Sequence, residues 1–147
     1  MYGEKRNLML MDNNILASPQ LEQIVDDLVE LGFGRGNKSY EKQSGKRKLK
    51  QTRYVDFNQG TDARLLTEET ITQLARLEVK PLRIAFDHAD EENVRIYKEA
   101  QWLAARHGFK NLSNYVLFNF KDTPQELYYR LKVNIELNKA FVEEELY

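Results

Sequence analysis

The chain has 147 residues, 41% of them hydrophobic and 31% charged, which is the composition of one globular domain with its own core and excludes a disordered segment. No apolar run approaches the roughly 20 residues of a membrane-spanning helix, and the first apolar patch is too short for a signal-peptide core, so a cytoplasmic location away from any membrane is expected. The absence of cysteine excludes disulfides, cysteine zinc sites and thiolate-held iron–sulfur clusters.

The net charge of −1 is unevenly laid out. Eight Lys/Arg between positions 34 and 53 face Glu41 alone, a local +7, so the remaining residues sum to −8. A basic loop on an acidic body is expected, within a single domain spanning 1–147.

In chain order the pattern reads as four β-then-α units. The first strand is Asn7 to Met11, ending at Asp12, Asn13 and Asn14. Ser18-Pro19 has the form of an N-cap with proline in the first turn, followed by apolar residues at helical spacing from Leu21 to Leu31, with Gly32 as the stop. Residues 33–53 break the rhythm with Gly34, Gly36 and Gly45 among the positive charges, as in a long loop or a mobile hairpin. The second strand, about 53–58, runs straight into Asn58, Gln59, Gly60, Asp62 and Arg64. Thr67 opens a short helix that closes near Leu77, with acidic residues in its first turn, where they suit the helix dipole. Pro81 precedes the third strand, Leu82 to Phe86, which ends in Asp87-His88. A helix over about 90–107 follows, with Val94, Tyr97, Ala100, Leu103 and Ala104 inward and Gly108 as its stop. The fourth strand, Leu112 to Phe118, leads through Asn119 to a helix capped by Asp122 or Thr123, whose apolar positions are Leu127, Tyr128, Leu131, Ile135 and Leu137. The acidic tail from Glu143 is expected to fray.

Strands separated by helices pair in parallel through right-handed crossovers, which places all four polar clusters on one sheet edge. Ligand chemistry in α/β proteins sits at that edge. The fold class is therefore α/β, four parallel strands alternating with four helices, either a small open sheet or a segment of a partial TIM-like (β/α) barrel.

Asp12-Asn-Asn, Val55-Asp-Phe-Asn-Gln-Gly-Thr-Asp-Ala-Arg-Leu-Leu66, Pro81-Leu-Arg-Ile-Ala-Phe-Asp87 and Tyr115-Val-Leu-Phe-Asn-Phe-Lys-Asp-Thr-Pro124, in this order and spacing, resemble the interior of a radical S-adenosylmethionine (radical SAM) enzyme. The likeness is to a branch with Asp-Phe-Asn-Gln-Gly and Asn-Phe/Tyr-x-Asp-Thr-Pro signatures and covers most of residues 8–138. It implies a partial (β/α)6 barrel, of which the four strands are the second to fifth. It also implies S-adenosylmethionine as ligand. Asp12, Asn13 and Asn14 would meet its amino group, and Asp56, Asn58, Gln59, Asp62 and Arg64 would lie at the next strand end, with Arg64 on the carboxylate. Asp87 and His88 would touch ribose or substrate, and the backbone around Leu117 to Phe120, Asn119 included, would approach the adenine. The family's [4Fe–4S] cluster is held by a CxxxCxxC loop after its first strand. This chain has neither, so no cluster and no reductive cleavage of SAM are expected from it alone. A split or truncated enzyme fits, with a second polypeptide supplying the first strand and cluster loop, or a homodimer formed through open sheet edges.

Plainer readings compete. Asp12-Asn-Asn is also ordinary turn chemistry, and Arg64 can pair with Asp62 or Glu68 as a local ion pair. Asp87 either orients the neighbouring imidazole or caps the helix that starts near Asp90. His107, before Gly108, reads as a helix C-terminal residue, and two histidines without cysteine leave no dedicated transition-metal site. In the basic loop, Lys46, Arg47, Lys48, Lys50 and Arg53 can neutralise nucleic-acid phosphates, with Tyr40 and Tyr54 to stack on bases, or can simply be solvated.

Overall fold

The computed structural model describes residues 4–11, 14–116, 118 and 121–146. Its elements in chain order are β1 (Asn7–Leu10), α1 (Leu21–Leu28), β2 (Tyr40–Ser44), β3 (Arg47–Gln51), β4 (Tyr54–Phe57), α2 (Glu68–Leu74), β5 (Leu82–Ala85), α3 (Glu91–Arg106), β6 (Leu112–Tyr115) and α4 (Pro124–Glu143). The mixed α/β class expected from the sequence is thus present, with four helices and short strands.

Parallel pairing joins β1 to β4, with Asn7 opposite Tyr54 and Leu10 opposite Phe57, and β5 to β6, with Leu82 opposite Leu112 and Ala85 opposite Tyr115. These are two small sheets, where one continuous sheet was expected. Among the described residues, only the single bridges Val55 to Val79 and Thr61 to Ile84 run between them. The reason lies in the chain: β4 gives way to a turn whose Gly60 has φ +82°, and Pro81 offers no N–H for a ladder. The strands nevertheless follow one another in sequence order, β1, β4, β5, β6. A sheet that steps the same way at each right-handed crossover keeps its helices on one face. Burial agrees: Val55, Phe57, Leu82 and Ile84 are buried, while Tyr54, Asp56, Arg83 and Ala85 alternate onto the opposite, open face.

Local chemistry sets most helix ends. Thr67 caps α2 in a capping box with Thr70, Asp90 accepts from Asn93 N at the start of α3, and Thr123 caps α4 in a capping box with Glu126, with Pro124 in the first turn. Of the two candidate caps of α4, Thr123 holds the position and Asp122 pairs with Arg130. Ser18-Pro19 does not cap α1. A 3-10 turn over Ile15–Ala17 comes first, and α1 starts at Leu21 after Gln20, which makes no side-chain cap. α1 then closes in a π turn, Val29–Phe33, with Gly32 at φ +89°, where a Cβ would lie 2.6 Å from Ser39 Oγ.

Of the two readings of the basic segment, the hairpin is the one formed: residues 40–51 pair antiparallel, β2 with β3, turned at Gly45-Lys46. Gly45 has φ +59°, the conformation that a two-residue turn with glycine first demands. On α4 the buried residues are Arg130, Val133, Leu137 and Phe141, so of the expected apolar set only Leu137 is buried, while Tyr128, Leu131 and Ile135 are 69%, 46% and 57% exposed. The tail does not fray at once: Leu146 N donates to Phe141 O at 3.0 Å and its side chain packs against the core.

Candidate functional site

At the C-terminal ends of β4 and β5, against the first turns of α3, lies a polar cleft of about 320 Å³. Asn14 reaches it from beyond β1; Gln59, Thr61, Asp62 and Arg64 from beyond β4; Asp87 and His88 from beyond β5. Six residues nominated from the sequence therefore converge here from three separate strand ends. This volume is near the lower limit of small-molecule sites. Asp12, Asn13 and Asn119 lie outside the described residues.

The loop after β4 is fixed by backbone and side chain together. Thr61 is 1% exposed; its N and Oγ1 both donate to Arg83 O, at 2.8 and 2.7 Å, and its carbonyl accepts from Ala85 N at 3.0 Å. Asp62 then opens a 3-10 turn, Ala63–Leu65, by accepting from Arg64 N at 2.9 Å. Its carboxylate also takes the Arg64 guanidinium in a fork, Nε at 2.9 Å to Oδ1 and Nη2 at 2.6 Å to Oδ2. These side-chain hydrogen bonds hold the Asp62 carboxyl below its usual range, and the same bonds raise Arg64. Of the readings open for Arg64, the local ion pair is the one formed. Its fork is occupied, so capture of a ligand carboxylate at Arg64 requires Asp62 to yield.

Asp87 has the opposite character. Its Oδ1 is shielded from solvent and has no hydrogen-bond partner among the described residues, an arrangement that leaves an acceptor in need of a donor. It does not cap α3, since Asp90 does. Its position is set from below by Arg130, which is fully buried and donates through Nη1 to Asp87 O at 2.5 Å and through Nη2 to Asp122 Oδ2 at 3.0 Å. His88 is exposed at the rim. Asn93 and Tyr97 of α3 complete the wall. Neither α3 residue was nominated from the sequence: Tyr97 reads there as part of the inward apolar face, and Asn93 sits in a polar first turn that any helix start explains. Arg130 was passed over because an arginine amid apolar residues reads as the solvent side.

Two nominated residues are elsewhere. Asp56 points to the open face, where its Oδ2 accepts from Arg83 Nη2 at 2.8 Å, one residue out of phase with the buried Val55 and Phe57. Asn58 offers its carbonyl to Tyr115 Oη at 2.5 Å and its amide to Met11 Sδ at 3.7 Å. His107 ends α3 as expected and places Nε2 2.9 Å from Glu68 Oε2.

The basic segment divides into base and tip. Arg35 donates to the last carbonyls of α3, His107 O at 2.9 Å and Gly108 O at 2.7 Å. Arg53 lies 4.3 Å over the Phe33 ring and donates to Glu4, Leu31 O and Lys5 O, so it is structural and not available to phosphates. Lys46, Arg47, Lys48 and Lys50 sit exposed on the hairpin. Among the described residues only Lys48 of these four has an ion pair, with Glu41 at 3.4 Å.

No protein-family model, no curated protein and no solved structure matches this chain. A [4Fe–4S] cluster does not fit its donor set: the sequence holds no cysteine, and the described residues contain no group of three His, Asp or Glu arranged to hold a metal ion. Among them no helix is long and apolar enough to cross a membrane.

Proposed function

We propose that this chain is a ligand-holding domain of radical SAM-like, partial-barrel architecture. In this reading it binds a small polar molecule of the S-adenosylmethionine class in the cleft and does no radical chemistry by itself. The observation that carries the reading is Asp87: a shielded, unpartnered carboxylate oxygen in a cleft at the strand ends calls for a cationic or hydroxylic donor. An ammonium or a ribose hydroxyl supplies one. The convergence of Asn14, Gln59, Asp62, Asp87 and His88, all singled out by their motifs, supports it further. Binding without catalysis follows from the chain's lack of any thiolate for the cluster.

Isothermal titration of the chain with S-adenosylmethionine tests this. A saturable heat is expected, with affinity falling about tenfold or more in Asp87→Asn, since a hydrogen bond to a charged group contributes about 1.5–3 kcal/mol. No heat up to millimolar ligand refutes it.

The hairpin favours a second reading. It stands clear of the core on a base fixed by Arg35 and Arg53, and six cations from Lys38 to Lys50 are exposed there against one acid. That arrangement suits the backbone of a nucleic acid.

A further inference from the structure

A second cavity lies on the open face of the sheet. It holds about 460 Å³ and is lined by Asn7, Leu8, Met9, Tyr54, Asp56 and Lys80, a size usual for a small-molecule site. Strand register builds it. Asn7 lies opposite Tyr54 and Met9 opposite Asp56 on adjacent parallel strands, so these four side chains share one face. Lys80 joins them because Val79, bridged to Val55, is buried at 8% exposure, and the next residue alternates outward. This cavity has no lining residue in common with the cleft. It sits toward the starts of the strands, at the root of the basic hairpin, where β3 runs through Thr52 and Arg53 into Tyr54.

Its charge is out of balance. Among the described residues, Asp56 is the only acid in the wall, and Arg83 neutralises it at 2.8 Å. Lys80 and Arg6 are left over. The Lys80 ammonium lies 5.2 Å and the Arg6 guanidinium 5.1 Å from the centre of the Tyr54 ring, so one aromatic side chain gathers both. Arg6 is oriented by one bond, Nε to Thr52 O at 2.8 Å. Its outer nitrogens and the Lys80 ammonium meet no acceptor among the described residues. The acids close by in the chain are taken: Glu78 accepts from Gly36 N at 2.8 Å, and Glu4 pairs with Arg53 at 2.6 Å. The Asn7 amide and the Tyr54 hydroxyl also have no bond to the described residues.

Two spare cations and two spare neutral groups around one cavity suit a dianion. A phosphomonoester carries about −1.5 to −2 at neutral pH and three acceptor oxygens, whereas a carboxylate brings one charge and two oxygens. Met9, 56% exposed in the same wall, presents a polarizable thioether that suits the edge of an aromatic ring. We infer that the open face binds a phosphomonoester with an aromatic body, of the nucleoside 5′-monophosphate class. The phosphate lies between Lys80 and Arg6, and the base lies along Met9. That phosphate comes either on a free nucleotide or at the 5′ end of a strand whose backbone continues along the hairpin. The site goes beyond both readings above and needs neither, because it is built from different residues.

Calorimetric titration of the full chain with uridine 5′-monophosphate should show saturable binding, and uridine should show none. Lys80→Ala should weaken the nucleotide about tenfold or more with circular dichroism unchanged, and Lys80→Arg should restore most of the loss. Asp87→Asn, and Lys46→Ala, Arg47→Ala and Lys48→Ala combined, should leave its affinity within about twofold, as distant sites do. A 5′-phosphorylated triuridylate that binds more tightly than the mononucleotide, and loses that advantage in the hairpin variant, assigns the strand end as the source. Equal affinity assigns the free nucleotide. No binding of either up to about 1 mM overturns the inference. So does uridine binding as tightly as its phosphate, and so does binding that Asp87→Asn abolishes and Lys80→Ala leaves intact.

Discussion

Replacing Arg130 with alanine should be among the most destabilising single changes on α4. The side chain is 0% exposed and its carboxylate partner, Asp122, is 14% exposed. Of its bonds, those to Asp87 O at 2.5 Å and Asp122 at 3.0 Å are well formed, while Phe86 O at 3.4 Å is too distant to add much. Truncation removes a buried charge and its hydrogen bonds to Asp122 and to a backbone carbonyl. Breaking a pair this buried costs about 3–5 kcal/mol. For a chain near 150 residues, where each kcal/mol shifts Tm by about 2–4 °C, the melting point should fall by roughly 10 °C or more. Urea unfolding followed by circular dichroism reads the loss as a lower midpoint with unchanged slope. Arg130→Met together with Asp122→Leu should recover most of it, because a well-packed apolar pair replaces a buried ion pair at little cost. A loss below about 1 kcal/mol in Arg130→Ala would refute the view that this arginine clamps the end of β5 to α4.

Two further outcomes follow from the cleft and the hairpin. Because the Asp62 carboxyl is lowered by Arg64, the pair's contribution is fully present above the ordinary value of 3.8 and is lost as pH falls through the lower folded value. Carboxyl-carbon NMR should place the Asp62 midpoint below 3.8 and return it toward that value in Arg64→Gln; a wild-type midpoint at or above it contradicts the pairing. On the hairpin, Lys46→Ala, Arg47→Ala and Lys48→Ala combined should leave the unfolding free energy from urea titration within about 0.5 kcal/mol of wild type, as exposed substitutions do. The same variant should weaken binding to single-stranded RNA and flatten its salt dependence, by up to roughly 0.7 per lost phosphate contact. Unchanged RNA retention would dismiss the nucleic-acid reading, and Arg53→Ala should instead lower stability.

What the sequence displays is what short-range chemistry decides. Thr67, Asp90 and Thr123 are capping residues in any context, and each starts its helix where the pattern places it. The alternation Val55, Phe57 and Leu82, Ile84 identifies buried strands in the same way. The phase of α4 was not legible, because its most buried side chain is an arginine and its exposed ones are Tyr128, Leu131 and Ile135. Hydrophobicity alone assigns the wrong face when a buried cation serves carbonyls from a distant strand. The hairpin was legible only as one of two readings, beside a long loop, since five of the ten residues in β2 and β3 are charged and its register comes from a two-residue glycine turn, not from a buried face. In the cleft, strand ends predicted which residues gather, but whether Arg64 offers its fork or spends it on Asp62 depends on a 3-10 turn that no spacing rule specifies.

Tyr115 gives the loop after β4 a property of its own. From the far side of β5 its hydroxyl holds Asn58 O, and its ring packs against Gly60, where an added Cβ would lie 3.0 Å away. With Thr61 fastened to Arg83 and Ala85, residues 58–61 are pinned at both ends by contacts made during folding. Fixing a residue's backbone costs about 1–2 kcal/mol of conformational entropy. That cost is met before any ligand arrives, so affinity at this cleft is not reduced by ordering its longest wall.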